Sequence, residues 1–149
     1  MERQNQAVVV ECEEELYRYA PANNGASPLW CMGDTCLVRV GDDLFASGLE
    51  TIPGAKPRNN CRWTLSRRAT TGWELIRRDE TGRTREPCPL VAFPDGRIFL
   101  SANPTLTPLD TCDGPAQPEI LQFAAADPHA PPQRLLPPWS EPVTFNDHS

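Results

Sequence analysis

The sequence predicts an all-β fold made of two tandem four-strand units, and three observations carry that expectation. Short apolar runs bounded by turn residues recur along the chain, as in LVRV, GDD, LFAS over 37–47 and LVAF, PDG, RIFLS over 90–101. Seventeen prolines are spread over the 149 residues, and proline removes a hydrogen bond from a helix interior and clashes with the preceding turn. The hairpin pattern also repeats, at a period of roughly 50 residues.

The first hairpin runs from Leu37–Val40 through Gly41, Asp42 and Asp43 to Leu44–Ser47. In the second, Arg62–Arg67 sets Trp63 and Leu65 on one face, Thr71 and Gly72 turn the chain, and Trp73–Arg78 returns. The third joins Leu90–Phe93 to Arg97–Ser101 through Pro94, Asp95 and Gly96, where proline presets φ for the turn that Asp-Gly completes. The fourth pairs Glu119–Phe123 with Gln133–Leu136 across the Pro-rich stretch around Asp127 and Pro128. Leu37 aligns with Leu90, and Leu44-Phe45-Ala46-Ser47 with Ile98-Phe99-Leu100-Ser101. The second hairpin corresponds to the fourth in the same way.

Two hairpins per period with no helix between them is the pattern of the four-strand blade of a β-propeller. The expected layout is an N-terminal strand over 7–19, a first blade over 29–79, a second over 85–137, and the start of a further, truncated unit over 138–149. A lone blade cannot bury both of its faces, and rings close with about four to eight blades. The chain is therefore expected to be a portion of a larger ring, monomeric at full length.

A formal charge of −6 and a pI near 4.9 argue against nucleic-acid or anionic-membrane partners, which select basic surfaces. Thirteen of the fourteen basic residues are arginine, and seven of these fall between Arg62 and Arg85. That strip reads either as a hairpin face with cross-strand ion pairs or as an anion-facing surface. No apolar run reaches the roughly 18–20 residues of a membrane span. The run Ala7–Val10 is too short for a signal peptide. The chain as given reads as soluble and cytoplasmic, with export open if residues precede Met1. Cys36, Cys61 and Cys88 each head an apolar run, so the six cysteines read as buried thiols or as disulfides. With no C-x-x-C pair and only His129 and His148, neither a metal nor a cofactor is expected.

The segment Thr84–Leu100, through Arg85, Pro87, Leu90, Pro94, Asp95 and Gly96, resembles the segment with which sialidase-like propellers (the BNR-repeat family) open a blade. The stretches over 23–31, 59–65 and 79–90 are similar to those of uncharacterised bacterial members. The resemblance implies that Arg85 clamps a substrate carboxylate through its bidentate guanidinium. It also implies that the acid/base aspartate is Asp110 or Asp113. The family's Asp-box is absent, its nearest echo, Thr70–Trp73, lacking the aspartate, and the remaining arginines, tyrosine and glutamate of that family's site have no located counterparts.

Read from the residues alone, Asp110 and Asp113 are turn formers beside Pro and Gly, and Arg85 starts an outer strand. Asn59 and Asn60 read as a turn or as polar groups lining a pocket, and Trp30, Trp63 and Trp73 as fillers between blades or as platforms for sugar rings. The expected function is carbohydrate binding or glycoside hydrolysis, with a carbohydrate or other small anionic ligand as partner. The alternative is a non-catalytic module that binds glycans or proteins.

Overall fold

The computed structural model describes residues 9–30 and 33–138 and is all-β: eight strands form two four-stranded antiparallel sheets. Sheet A is the meander β1 (Leu37–Val40), β2 (Asp43–Thr51), β3 (Cys61–Ala69) and β4 (Gly72–Arg78). Sheet B is the meander β5 (Leu90–Ala92), β6 (Arg97–Ala102), β7 (Glu119–Ala124) and β8 (Gln133–Leu135). The described residues contain no helix, and so none long and apolar enough to cross a membrane. All four expected hairpins form. The unit expected over 138–149 lies outside the described residues except for Pro138.

Each sheet buries one set of alternating side chains against the other sheet. Phe45, Trp63 and Leu65 of sheet A meet Leu90, Ile98, Leu100, Leu121 and Phe123 of sheet B in a single core. Trp63 packs edge-on to Phe123 at 6.1 Å between ring centroids. The sheets approach most closely along their first strands, β1 and β5, where the amide of Leu90 donates to the carbonyl of Thr35 at 2.6 Å.

The hairpin registers show that the two sheets present opposite faces to each other. Val40 pairs with Asp43 to close the first turn, and Phe93 bonds to Arg97 to close the third. Phe99 therefore stands in sheet B where Phe45 stands in sheet A, and Leu100 where Ala46 stands. Phe45 is buried between the sheets, whereas Phe99 and its cross-strand partner Val91 lie on the outer face of sheet B with Ile120. Arg97 lies over the rings of Phe93 and Phe99 on that face, 5.3 and 5.6 Å from their centroids. The sheets are thus stacked head to tail, and the outer face of sheet B is the counterpart of the inner face of sheet A.

The opposite face of sheet A is crossed by the N-terminal segment. The strand expected from Ala7 to Tyr19 does not form over its described part. The physical reason is that the segment lies across the sheet through its side chains instead of joining an edge ladder. Tyr17 lies so close over Gly48 that a Cβ there would stand 2.7 Å from its ring, so only glycine fits beneath the tyrosine. Glu14 accepts from Arg68 Nε at 2.8 Å and from the indole N–H of Trp73 at 3.1 Å.

The hydrogen bond from Arg68 is the main cause that holds the Glu14 carboxyl down at about 2, against an ordinary 4.5. A depressed carboxyl stabilises the folded form above its unfolded pKa, and that contribution is lost as the pH falls from about 4.5 through about 2. The indole resonance of Trp73 is accordingly expected to titrate with a midpoint near 2. The step should be absent in Glu14→Gln, and a midpoint near 4.5 would contradict the contact.

The arginine strip resolves chiefly into cross-strand and strap ion pairs: Arg62 and Arg78 with Glu50, Arg67 with Asp43, and Arg68 with Glu14. Cys12, Cys36, Cys61, Cys88 and Cys112 are free thiols, while Cys31 lies outside the described residues. Cys61 and Cys88 are buried as small core groups, and burial pushes both thiols up. Cys12 and Cys112 are exposed, unlike the buried thiols the sequence suggests, because each sits on an irregular segment outside the ladders.

Candidate functional site

Four connecting segments converge at one end of the sheets: 20–26, the β2–β3 loop, the β4–β5 link and the long β6–β7 loop. Arg83 is their hub. Its guanidinium donates to the carbonyls of Asn59 at 2.9 Å, Pro108 at 2.7 Å and Thr107. Its own carbonyl accepts from the amide of Thr105 at 2.8 Å. Burial lowers the pKa of Arg83, and the charge of Asp110 partly offsets that. The planar five-donor fork of arginine suits a joint of several carbonyls, which no other side chain could gather.

Arg85, Asn59 and Asn60 lie inside this joint. Arg85 is only 7% exposed, and its Nε donates to the carbonyl of Asn24 at 3.0 Å. Gly25 is required beside it, since a Cβ there would meet the guanidinium at 2.9 Å and φ is +79°. Asn24 Nδ2 reaches the carbonyls of Arg58 and Arg85 at 3.1 and 3.3 Å. Asn60 Nδ2 donates to the carbonyl of Ala22 at 2.8 Å. Asn59 is fully buried, and neither polar atom of its amide has a hydrogen-bond partner.

Asp110 and Asp113 occupy the exposed outside of the same joint, where Asp113 pairs with Arg58 at 3.7 Å. Trp30 closes a separate turn, its amide donating to the carbonyl of Ser27 at 3.0 Å, with half of its surface exposed. The structure thus gathers Asn59, Asn60 and Arg85, sets the two aspartates at their rim, and leaves Trp30 at another turn. Arg85 belongs to the link between sheets and starts no strand, because its neighbour Thr84 bridges back to the start of β3 as an isolated pair: the amide of Thr84 donates to the carbonyl of Cys61 at 2.7 Å.

Concave surface lies elsewhere. An inner cleft of 290 Å³ is bounded by Asp34, Thr84, Glu86, Ser101 and Asn103, with Cys88 and prolines forming its walls. An outer cleft of 480 Å³ opens between β4 and β8. Two more, of 200 and 580 Å³, lie along the N-terminal segment. None of these four is lined by Arg85, Asn59, Asn60, Asp110, Asp113 or Trp30.

The inner cleft combines two carboxylates with hydroxyl and amide groups, a set that exchanges hydrogen bonds with a polyhydroxylated ligand. Sequence reasoning missed Asp34, Glu86 and Ser101, because the cleft joins four separate segments of the chain, around 34, 84–89, 101–103 and 118, and no motif links them. Compared with protein-family models, curated proteins and solved structures, the chain matches none.

Proposed function

We propose that the two sheets are neighbouring blades of a propeller-type module and that the module binds a carbohydrate through the inner cleft without hydrolysing it. The head-to-tail stacking supports the blade reading. A ring of repeats needs each unit to offer one face forward and the other back, and the burial of opposite faces of sheets A and B against each other, closest along β1 and β5, supports that reading.

The observation that carries the binding reading is the convergence of Asp34, Thr84, Glu86, Ser101 and Asn103 on one cleft beside β5 and β6. The sialidase-like resemblance is consistent with a sugar as the ligand class. A binding role is favoured over hydrolysis because Arg85 is buried and bonded to the Asn24 carbonyl, and because Asp110 and Asp113 face solvent and line none of the four clefts. A glycosidase needs two carboxylates flanking the scissile bond inside a site that orients the sugar.

Titrating the ¹⁵N-labelled chain with a neutral hexose, an N-acetylhexosamine and a nonulosonic acid should move the amides of Thr84, Glu86, Cys88 and 101–103 saturably for at least one of them. Ser101→Tyr, which fills the cleft from an exposed position, should abolish that response. Aryl glycosides should not be turned over. Hydrolysis lost in Asp110→Asn or Asp113→Asn would restore the enzymatic reading, and no saturable shift with any of the three sugars would sink the carbohydrate one.

A further inference from the structure

The outer cleft between β4 and β8 has a volume of 480 Å³, within the range of small-ligand sites. Its floor holds two donors that the fold leaves unused. Trp63, 4% exposed, has its indole N–H buried without a hydrogen-bond partner, and the Nε of Arg77 is likewise buried and unpartnered. Leu65 pairs directly with Arg77, so Trp63 and Arg77 are diagonal neighbours on the face that looks toward sheet B. Buried donors are almost always satisfied, and two on one wall call for an acceptor from outside the chain.

The charges around them define that acceptor. Arg78 is matched by Glu50, and Arg134 by Glu119. Arg77 has only the carbonyl of His129, and no described carboxylate lies within ion-pair reach of it. Arg77 is thus the cation of the lining without a carboxylate partner, while Asp79 and Glu80 have no ion pair among the described residues. Asp79, Glu80 and Glu119 in the lining disfavour a dianion. Pro104, Leu106, Leu121 and Pro132 supply apolar walls. We infer that this cleft is a second binding site, which takes a monocarboxylate with an apolar body, its oxygens accepting from Trp63 Nε1 and the Arg77 guanidinium. The site shares no residue with the inner cleft, so it stands or falls independently of the proposed sugar site.

The test is an NMR titration of the full ¹⁵N-labelled chain with benzoate, acetate and inorganic phosphate, observing the indole and arginine Nε–H resonances. Benzoate should move the Trp63 indole and the Arg77 Nε–H saturably while the indoles of Trp30 and Trp73 stay in place. Acetate should bind more weakly, and phosphate should produce no saturable shift. Arg77→Gln should weaken benzoate about tenfold or more, the loss expected for a charge-assisted hydrogen bond.

Leu106→Trp, made at an exposed rim position, should block benzoate while leaving the rest of the amide spectrum intact, so the inference remains testable if the Arg77 variant does not fold. No saturable response to benzoate, a response unchanged in both variants, or an equal response to phosphate would each overturn it.

Discussion

Replacing Leu100 by alanine is expected to lower the free energy of unfolding by about 2–5 kcal/mol, the cost of emptying a buried aliphatic site that cannot collapse. Leu100 is fully buried and pairs with Leu90 on one side and Leu121 on the other, at the centre of the surface that meets Phe45 and Trp63. Deleting it withdraws contact from both sheets at once. A small domain has only about 5–15 kcal/mol in total, so the variant should unfold at a much lower urea concentration with its m-value unchanged. Phe99→Ala offers the contrast. Phe99 is the neighbouring residue on the same strand, β6, and points to the outer face of sheet B, where it is only partly buried, and its loss should cost less than half as much. Equal losses at the two positions would contradict the head-to-tail assignment of the faces.

Arg83→Met is expected to cost about 2–4 kcal/mol, because it leaves the carbonyls that Arg83 gathers from a buried position without their charged donor. The same change should act locally as well. The amide of Thr105 donates to the carbonyl of Arg83, and that of Leu106 to Pro115, so the β6–β7 loop hangs on this residue. Hydrogen exchange at Thr105 and Leu106 should accelerate well beyond the global change, whereas β2 and β3 should follow global stability alone. Arg83→Lys should fall between the two, since one ammonium cannot span carbonyls on two loops. Uniform acceleration across both sheets would mean that Arg83 only adds bulk.

Much of the architecture was legible along the chain for a local reason. Strand alternation and turn chemistry are properties of contiguous residues, so LVRV, CRWTL, LVAF and EILQF announce their strands, and Gly41, Thr71 and Pro94-Asp95-Gly96 announce the turns between them. The N-terminal segment misled because its apolar and acidic residues satisfy the same alternation, while its partners, the bare backbone of Gly48 and the guanidinium of Arg68, stand 31 and 54 residues away from Tyr17 and Glu14 respectively.

The candidate site was legible only in its residue types. Arg85, Asn59 and Asn60 do meet, but as the inside of a joint, because a side chain's access to solvent depends on which loop closes over it and no local pattern carries that. The clefts were invisible for the same reason: Asp34, Glu86 and Ser101 share one cleft, and Trp63 and Arg77 share another, only once the two sheets stack.

By itself the sequence determined the all-β class, the four hairpins and the division into two similar units, since each follows from the pleat's two-residue period and from turns a few residues long. Tertiary structure alone decided which face of each sheet is buried, that sheet B turns its Leu100 face to sheet A while its Phe99 face stays outward, and where concave surface opens. These outcomes depend on contacts between residues tens of positions apart, whose free energy is set by complementary packing across the interface and not by the order of neighbours along the chain.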